Sequence, residues 1–321
     1  MDLPDRVHVD EVVPRDGLQR LDRFVPTARK AELVDAIVAT GLRSVEVTAF
    51  SHPEAVPALR DAGELFERLD RRPGVEYHAL VPNRVGAERA VAAGVDGIDA
   101  LVTVSDAYAR TNQGMTSEET LDELDAIIDV ADDAGVPVEA GLSTSFFCPY
   151  DGRVDPERTL AAAERAVAAG VDAVSFSATA GMAEPRGVDD LLARADERLG
   201  LDAIDAGLHL HDTNGLALAN AVTAMRRGVR RFDASVCGLG GGTALPDELD
   251  TVGNVPTEDL AAACASMGVE TGVDIEALLD VARSVRDDLG VEPWSHALAG
   301  GTPGGLLAAT GGLDESAGPE T

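Results

Sequence analysis

Two fragments, Ala92-Ala93-Gly94-Val95-Asp96 and Ala168-Ala169-Gly170-Val171-Asp172, are near copies of each other, and their meaning decides the fold. Each closes an alanine-rich segment of helical spacing and opens a short β-rich run. Glycine in that place takes the left-handed conformation that ends a helix. The same punctuation recurs at Gly41, Gly135 and Gly228. Working outward, β-rich runs fall at residues 7–13, 44–49, 75–81, 98–104, 136–142, 173–176, 207–210 and 232–236. Helix-periodic segments fill the gaps at 28–40, 55–69, 84–93, 117–134, 156–169, 188–199 and 216–227. Strict alternation of strand and helix predicts a parallel sheet. Eight such units fit an α/β fold of the (β/α)8 TIM barrel type, for which about 250 residues is typical. An open doubly wound sheet is the alternative, but no G-x-G-x-x-G follows an early strand. Two amphipathic segments, 258–267 and 275–289, predict additional C-terminal helices. The expected organisation is a barrel over 1–255, helices packed on it over 256–300, and a flexible tail over 301–321.

Composition narrows the partners. Of 321 residues, 45% are hydrophobic, enough for a packed body. The formal charge is −31, from 57 acidic and 26 basic residues, and the one lysine is Lys30. Such a surface repels nucleic acid and anionic membranes, so neither is expected as a partner. The acid is spread along the chain rather than gathered on one face, the pattern of a halophilic protein kept soluble at very high salt. Cys148, Cys237 and Cys264 are odd in number and far apart, which points to a reducing compartment. The stretch from Met1 to Arg6 carries neither a basic n-region nor an apolar h-region, and no run of about 18 apolar residues occurs. A cytoplasmic protein is expected.

Barrel geometry turns these spacings into proximity, because chemistry in such folds sits at the carboxyl-terminal ends of the strands. The polar residues gather there. Arg15 and Asp16 follow the first strand, Glu46 and Thr48 lie in the second, and Asn83 follows the third. Ser105, residues 143–145 and Thr179 follow the next three. At the seventh, His209-Leu210-His211-Asp212-Thr213-Asn214-Gly215 places two imidazoles at i and i+2, on one face of a strand. Imidazole is the commonest side-chain ligand for transition metals. Strands one, seven and eight are neighbours in a closed barrel, so Asp16 approaches His209 and His211. Mixed carboxylate and imidazole ligands suit a divalent ion.

The motifs Pro14-Arg15-Asp16-Gly17-Leu18-Gln19, His209-Leu210-His211-Asp212-Thr213 and Gly238-Leu239-Gly240-Gly241 resemble the 3-hydroxy-3-methylglutaryl-CoA lyase family of the DRE-TIM metallolyase superfamily. Val81-Pro82-Asn83, Cys148-Pro149-Tyr150-Asp151-Gly152, Leu216-Ala217-Leu218-Ala219-Asn220 and Gly253-Asn254-Val255-Pro256-Thr257-Glu258-Asp259 are further matches, in the same order. The resemblance implies that Asp16, His209, His211 and Asn254 bind Mg2+ or Mn2+. It implies that Arg15 steadies an enolate oxygen, that Glu46 supports the site, and that Asp16 and His209 take part in catalysis. Gln19 and Asn83 would face an acyl-CoA substrate, which is split to acetyl-CoA and a keto acid, acetoacetate for the namesake. A homo-oligomer, a dimer, is expected.

Residue chemistry fits that reaction. A guanidinium stays charged at any working pH and suits a developing oxyanion. Asp16 or one histidine could carry the hydroxyl proton, although an imidazole bound to metal is a poor base. Two positions depart from the family. Gly242 stands where the family has a catalytic cysteine, and Ala178 where it has an aspartate, both expected in the pocket. Lysines for a CoA phosphate are lacking, with Arg20 and Arg23 as substitutes. Alternatives are a Claisen-type transferase condensing acetyl-CoA with a 2-oxo acid, as isopropylmalate and citramalate synthases do, or a non-catalytic metal-binding paralogue. Biotin-dependent carboxyltransferases need a barrel lysine, and Lys30 lies in the first helix.

Overall fold

The computed structural model describes residues 3–242, 244 and 253–309. Eight parallel strands close into a barrel: β1 (His8–Glu11), β2 (Ser44–Ala49), β3 (Glu76–Val81), β4 (Gly97–Thr103), β5 (Val138–Ser143), β6 (Ala173–Ala178), β7 (Gly207–Leu210) and β8 (Arg231–Ala234). Each pairs with its successor, and β8 closes on β1 with Asp10 opposite Asp233. The helices between them are α1 (Thr27–Ala39), α2 (Ala62–Arg68), α3 (Arg84–Ala93), α4 (Asp106–Asn112), α5 (Ser117–Ala134), α6 (Pro156–Ala169), α7 (Pro185–Leu199) and α8 (Ala217–Arg226). The expected (β/α)8 barrel is therefore present.

The repeated Ala-Ala-Gly-Val-Asp fragments are the same joint in space. Gly94 and Gly170 close α3 and α6 with φ of 76° and 105°, where a side chain would strain the backbone. The aspartate that follows then docks the next strand. Asp96 Oδ2 accepts the Tyr77 N–H at 2.9 Å, and Asp172 Oδ2 accepts the Val138 N–H at 2.8 Å. The copied sequence thus encodes both the helix stop and the strand register.

Three expectations shift locally, and the placing of Lys30 holds. The first strand ends at Glu11, because residues 13–17 wind into a single π-helical turn. The expected helix over 55–69 is a 3-10 turn at Pro57–Leu59 followed by α2, since Pro57 has no N–H to continue a ladder. The alternating pattern missed α4 and the short antiparallel pair Phe147–Cys148 with Gly152–Arg153. Lys30 is buried in α1, where its Nζ pairs with Asp61 at 2.5 Å and with the Ala58 carbonyl at 2.6 Å, so it fastens the segment after β2 and stays out of the barrel.

Beyond the barrel, α9 (Thr257–Ser266) and α10 (Ile275–Leu289) match the two amphipathic segments, and α10 buries Leu278, Leu279, Ala282 and Val285. Short helices α11 (His296–Gly300) and α12 (Pro303–Ala309) follow, the latter within the segment expected to be tail. Residues 310–321 lie outside the described residues. No helix among the described residues is long and apolar enough to cross a membrane.

Candidate metal centre

The turn after β1 aims two functional groups at once. Asp16 N–H and Arg15 N–H both donate to the Val12 carbonyl, at 2.7 and 3.1 Å, which winds the chain tightly and turns consecutive side chains over the barrel mouth. Arg15 is held on two sides, its Nε 2.6 Å from Glu46 Oε2 and its Nη1 2.8 Å from Asp16 Oδ1. Gln19 donates to the same Asp16 oxygen.

The other groups arrive from β7, which only β8 separates from β1, and from the segment after β8. His209 lies one residue before the end of β7 and His211 just beyond it, with their Nε2 atoms 2.9 Å apart. His211 Nε2 is 3.4 Å from Asp16 Oδ2. After the glycine-rich segment the chain returns as a short bridge, Val255 N–H donating to the Leu210 carbonyl at 2.8 Å, and this pairs Asn254 with His211. Asn254 Nδ2 donates to Asp16 Oδ2 at 2.5 Å and to the Leu239 carbonyl at 2.9 Å. Asp16, His209, His211 and Asn254, drawn from positions as much as 238 residues apart, thus share one buried point.

The donor set fits a divalent ion. One ligand atom from each of Asp16, His209 and His211 lies within 4.8 Å of the other two. Burial works against ionisation of Asp16, but Arg15 and both histidines outweigh it and hold the carboxyl below the usual range. Burial and the neighbouring His209 keep His211 neutral by lowering its pKa. Burial also acts to lower His209, yet Asp233 at 2.9 Å from its Nδ1 more than compensates. Asn254 Oδ1 is buried with no hydrogen-bond partner among the described residues, an acceptor left for a cation. An anionic oxygen, two convergent imidazole nitrogens and an orphaned amide oxygen are ligands for such an ion.

This centre opens into a cavity of about 330 Å³ inside the barrel mouth, reached also by Glu46, Asn83, Tyr108 and Gly242. The sequence-predicted residues are brought together with two qualifications. Asn83 serves first as the N-cap of α3, its Oδ1 accepting the Gly86 N–H at 3.0 Å. Ala178 does not reach the cavity: Ser175, Ser177 and Thr179 line it, and the strand alternation turns Phe176 and Ala178 to the packed side. Gly242 lines it as expected. Arg20 and Arg23 are exposed, Arg20 reaching the Gly242 carbonyl at 3.4 Å and Arg23 the Leu289 carbonyl at 2.5 Å. Cys148 is fully buried, its sulfur 3.1 Å from Ser105 Oγ, and belongs to the packing.

Sequence reasoning missed Asp233, and with it Asp10, His78, Asp99 and Glu139, which also line the cavity. The available signal was a charged residue in the middle of a β-rich run, a place where a barrel strand ordinarily carries bulky branched side chains.

Comparison with known proteins agrees with this geometry. Residues 6–285 match the family model described as HMGL-like. The chain is 36% identical over 290 residues to a hydroxymethylglutaryl-CoA lyase of Bacillus subtilis (strain 168), covering 90% of this chain and 95% of that one. It is 35% identical over 278 residues to the mitochondrial hydroxymethylglutaryl-CoA lyase of Homo sapiens, covering 87% and 84%. An HMG-CoA lyase from Acinetobacter baumannii, solved in complex with coenzyme A and 3-methylmalate, superposes with a TM-score of 0.88 at 29% identity, covering 99% of this chain and 98% of that one.

Proposed function

The chain belongs to the HMGL-like family, and from that premise we propose that it is a divalent-metal-dependent lyase cleaving 3-hydroxy-3-methylglutaryl-CoA to acetyl-CoA and acetoacetate. The observation that carries this reading is the meeting of Asp16, His209, His211 and Asn254 beside a fixed Arg15 guanidinium.

Cleavage relocates one proton. The C3 hydroxyl loses it, the C2–C3 bond breaks as that oxygen becomes a carbonyl, and the bonding electrons pass into the thioester as an enolate. The enolate then takes a proton at C2. Asp16, His209, His211 and Asn254 would hold Mg2+ or Mn2+, which supplies Lewis-acid polarisation of a coordinated oxygen. Arg15 is the group for the enolate oxygen. It is clamped between Glu46 and Asp16, so it meets the growing charge without reorganising. Burial raises the Glu46 carboxyl to about 8, with Asp99 adding to it against the pull of Arg15, so this group can hold a proton at neutral pH beside the reacting atoms. Gln19 keeps Asp16 oriented through its hydrogen bond. Asn83, its carbonyl oxygen already used by α3, offers its amide NH2 to the acyl-CoA at the cavity edge.

The same proposal includes a cytoplasmic, high-salt setting, supported by the net charge of −31 and the unpaired cysteines, all three free and buried; the homodimer within it rests on the family resemblance alone. Its test is incubation of the purified protein in molar KCl with 3-hydroxy-3-methylglutaryl-CoA, with and without Mg2+ or Mn2+, scoring acetyl-CoA. Metal-dependent release that disappears in Asp16→Ala and His209→Ala is expected. A folded, metal-loaded protein that releases none would sink the reading.

A further inference from the structure

Among the described residues, three glycines lie in the barrel strands. Gly97 and Gly207 open β4 and β7, while Gly141 stands inside β5. A glycine there weakens its strand, because it brings no side chain to pack and loses more backbone freedom on folding. Two structural needs would justify that loss, and neither applies. The backbone of Gly141 is ordinary strand, outside the left-handed region and paired without a bulge to Leu101 of β4 and Ser175 of β6. The site is not crowded either. Apart from its chain neighbours, a Cβ built on Gly141 meets only the Ala100 carbonyl oxygen, at 3.7 Å, an ordinary contact. The remaining meaning of a glycine inside a strand is the close approach of a ligand.

Gly141 faces the cavity. With Glu139 and Ser143 it lines the inner wall of β5, whereas Ala140 and Leu142 belong to the packed core. Gly141, Leu101 and Leu80 of β3 are each half-buried, so the wall they form is open to the cavity. Inward positions of such a barrel ordinarily carry bulky branched side chains. The recess at Gly141 is therefore the room of a valine or leucine side chain, three or four carbons. Its height suits the chemistry. Ser175, the partner of Gly141, stands two residues before Ser177, the partner of His209, which puts the recess one inward step below the metal centre. Beneath it the floor is shut by paired charges, Glu139 with Arg231 and Asp99 with His78.

We propose that the recess at Gly141 receives the alkyl branch on C3 of the substrate and is sized for a branch longer than methyl. The inference rests on the lyase reading and refines its substrate class. Three carbon branches leave C3. One runs through the thioester to coenzyme A, which a cavity of about 330 Å³ cannot hold, so that branch points to the mouth. The carboxylate branch needs a cation, and Arg15 stands across the barrel, since β5 lies opposite β1. The charged side chain nearest to Gly141 on its own strand is an acid, Glu139, already paired with Arg231. The alkyl branch is left for the recess, where it lies against Leu101 and Leu80. The favoured substrate is therefore a 3-alkyl-3-hydroxyglutaryl-CoA whose alkyl group is about the size of propyl, the side chain that a barrel interior would otherwise supply. Cleavage keeps its balance: the C2–C3 bond breaks, the C3 hydroxyl proton reaches C2, and a longer 3-oxo acid takes the place of acetoacetate beside acetyl-CoA.

The test compares 3-hydroxy-3-methylglutaryl-CoA with its 3-propyl analogue, scoring acetyl-CoA from each. The wild type is expected to cleave the propyl ester with a kcat/KM equal to or above that of the methyl ester. Gly141→Val fills the recess and should lower the propyl-to-methyl ratio roughly tenfold or more, the scale on which an apolar pocket counts methylenes. Gly141→Ala, which the 3.7 Å contact admits, should lower it by a smaller factor, and it decides the matter if the valine variant does not fold. Alanine should also raise the thermal midpoint, since the strand regains what glycine withheld. A glycine kept for the fold would instead lower that midpoint when replaced. A wild type that cleaves the methyl ester but disfavours propyl by more than tenfold overturns the recess while sparing the lyase, as does a ratio that the substitution leaves in place. Should neither ester be cleaved, the lyase reading fails instead, and the same ratio, taken from calorimetric affinities for the two esters, decides the recess.

Discussion

Asp233 Oδ2 lies 2.9 Å from His209 Nδ1, and the two residues are register partners on adjacent strands. The carboxylate is placed to accept a hydrogen bond from Nδ1, which fixes the ring with Nε2 directed toward His211 and Asp16. Such supporting groups typically change metal affinity 10–100-fold. Asp233→Asn should therefore weaken Mn2+ binding by about tenfold or more while leaving the circular dichroism spectrum intact. Calorimetric titration measures it, and an unchanged affinity would reduce Asp233 to a packing role.

Gly240 stands with φ of 130° against the metal centre, and a Cβ placed there would run into Asn254 Nδ2 and Asp16 Oδ2. Neither side chain is free to yield, since each is tied to the other and to neighbours. Gly240→Ala is expected to abolish metal binding in a protein that still folds. Retained Mn2+ affinity would show that the glycine-rich segment adapts.

Arg15→Lys keeps the charge and loses the fork. The guanidinium meets Glu46 and Asp16 through different nitrogens, and a single ammonium cannot hold both positions. Loss of one preorganised oxyanion donor costs roughly 10²–10³ in kcat. A kcat reduced by about 10²-fold, with Mn2+ affinity changed only slightly, is the expected steady-state result. A drop in affinity equal to the drop in kcat would place Arg15 in metal retention instead.

Glu11 ties three parts of the chain beneath the site, accepting the Val13 and Val236 N–H groups, each at 2.9 Å, and the Thr257 hydroxyl at 2.6 Å. Burial raises this carboxyl from 4.5 to about 8, so the folded protein keeps a proton that the unfolded chain gives up. Stability from this group is accordingly full below about pH 4.5 and declines as pH rises toward 8, by at most about 1.4 kcal/mol per unit. Glu11→Gln imitates the protonated form and should flatten that slope between pH 5 and 8. Glu11→Ala strands the three donors and should cost about 3 kcal/mol or more. Urea midpoints across pH decide both.

With a formal charge of −31, self-repulsion opposes the compact state. Salt shortens its range from about 10 Å at 0.1 M to about 3 Å at 1 M. The thermal midpoint should rise steadily from 0.1 to 2 M KCl. A flat or falling midpoint would remove the argument for a high-salt setting.

The metal centre was legible in part because its strongest signals are local. His209 and His211 share a face by the geometry of a strand alone, and Arg15 and Asp16 sit together in the sequence. Asn254 was visible through family resemblance, with no residue-level argument, since its approach depends on an isolated bridge to His211 made after the glycine-rich segment. Ala178 was placed in the pocket, and a shift of one residue in the alternation of β6 puts Ser177 and Thr179 there instead.

What the sequence by itself determined is the set of features that depend on near neighbours. The left-handed glycines and the strand-helix alternation follow from a few consecutive residues, and together they point to an α/β fold with a parallel sheet. Only the tertiary structure decided which inward-facing side chains meet. Asp233 finds His209, Asp99 grips His78, and Arg231 seals the floor through the stagger of strands distant along the chain. A slip of one residue in any pairing would turn those groups to the opposite face. Register across the barrel, which no single segment carries, therefore sets the chemistry of its interior.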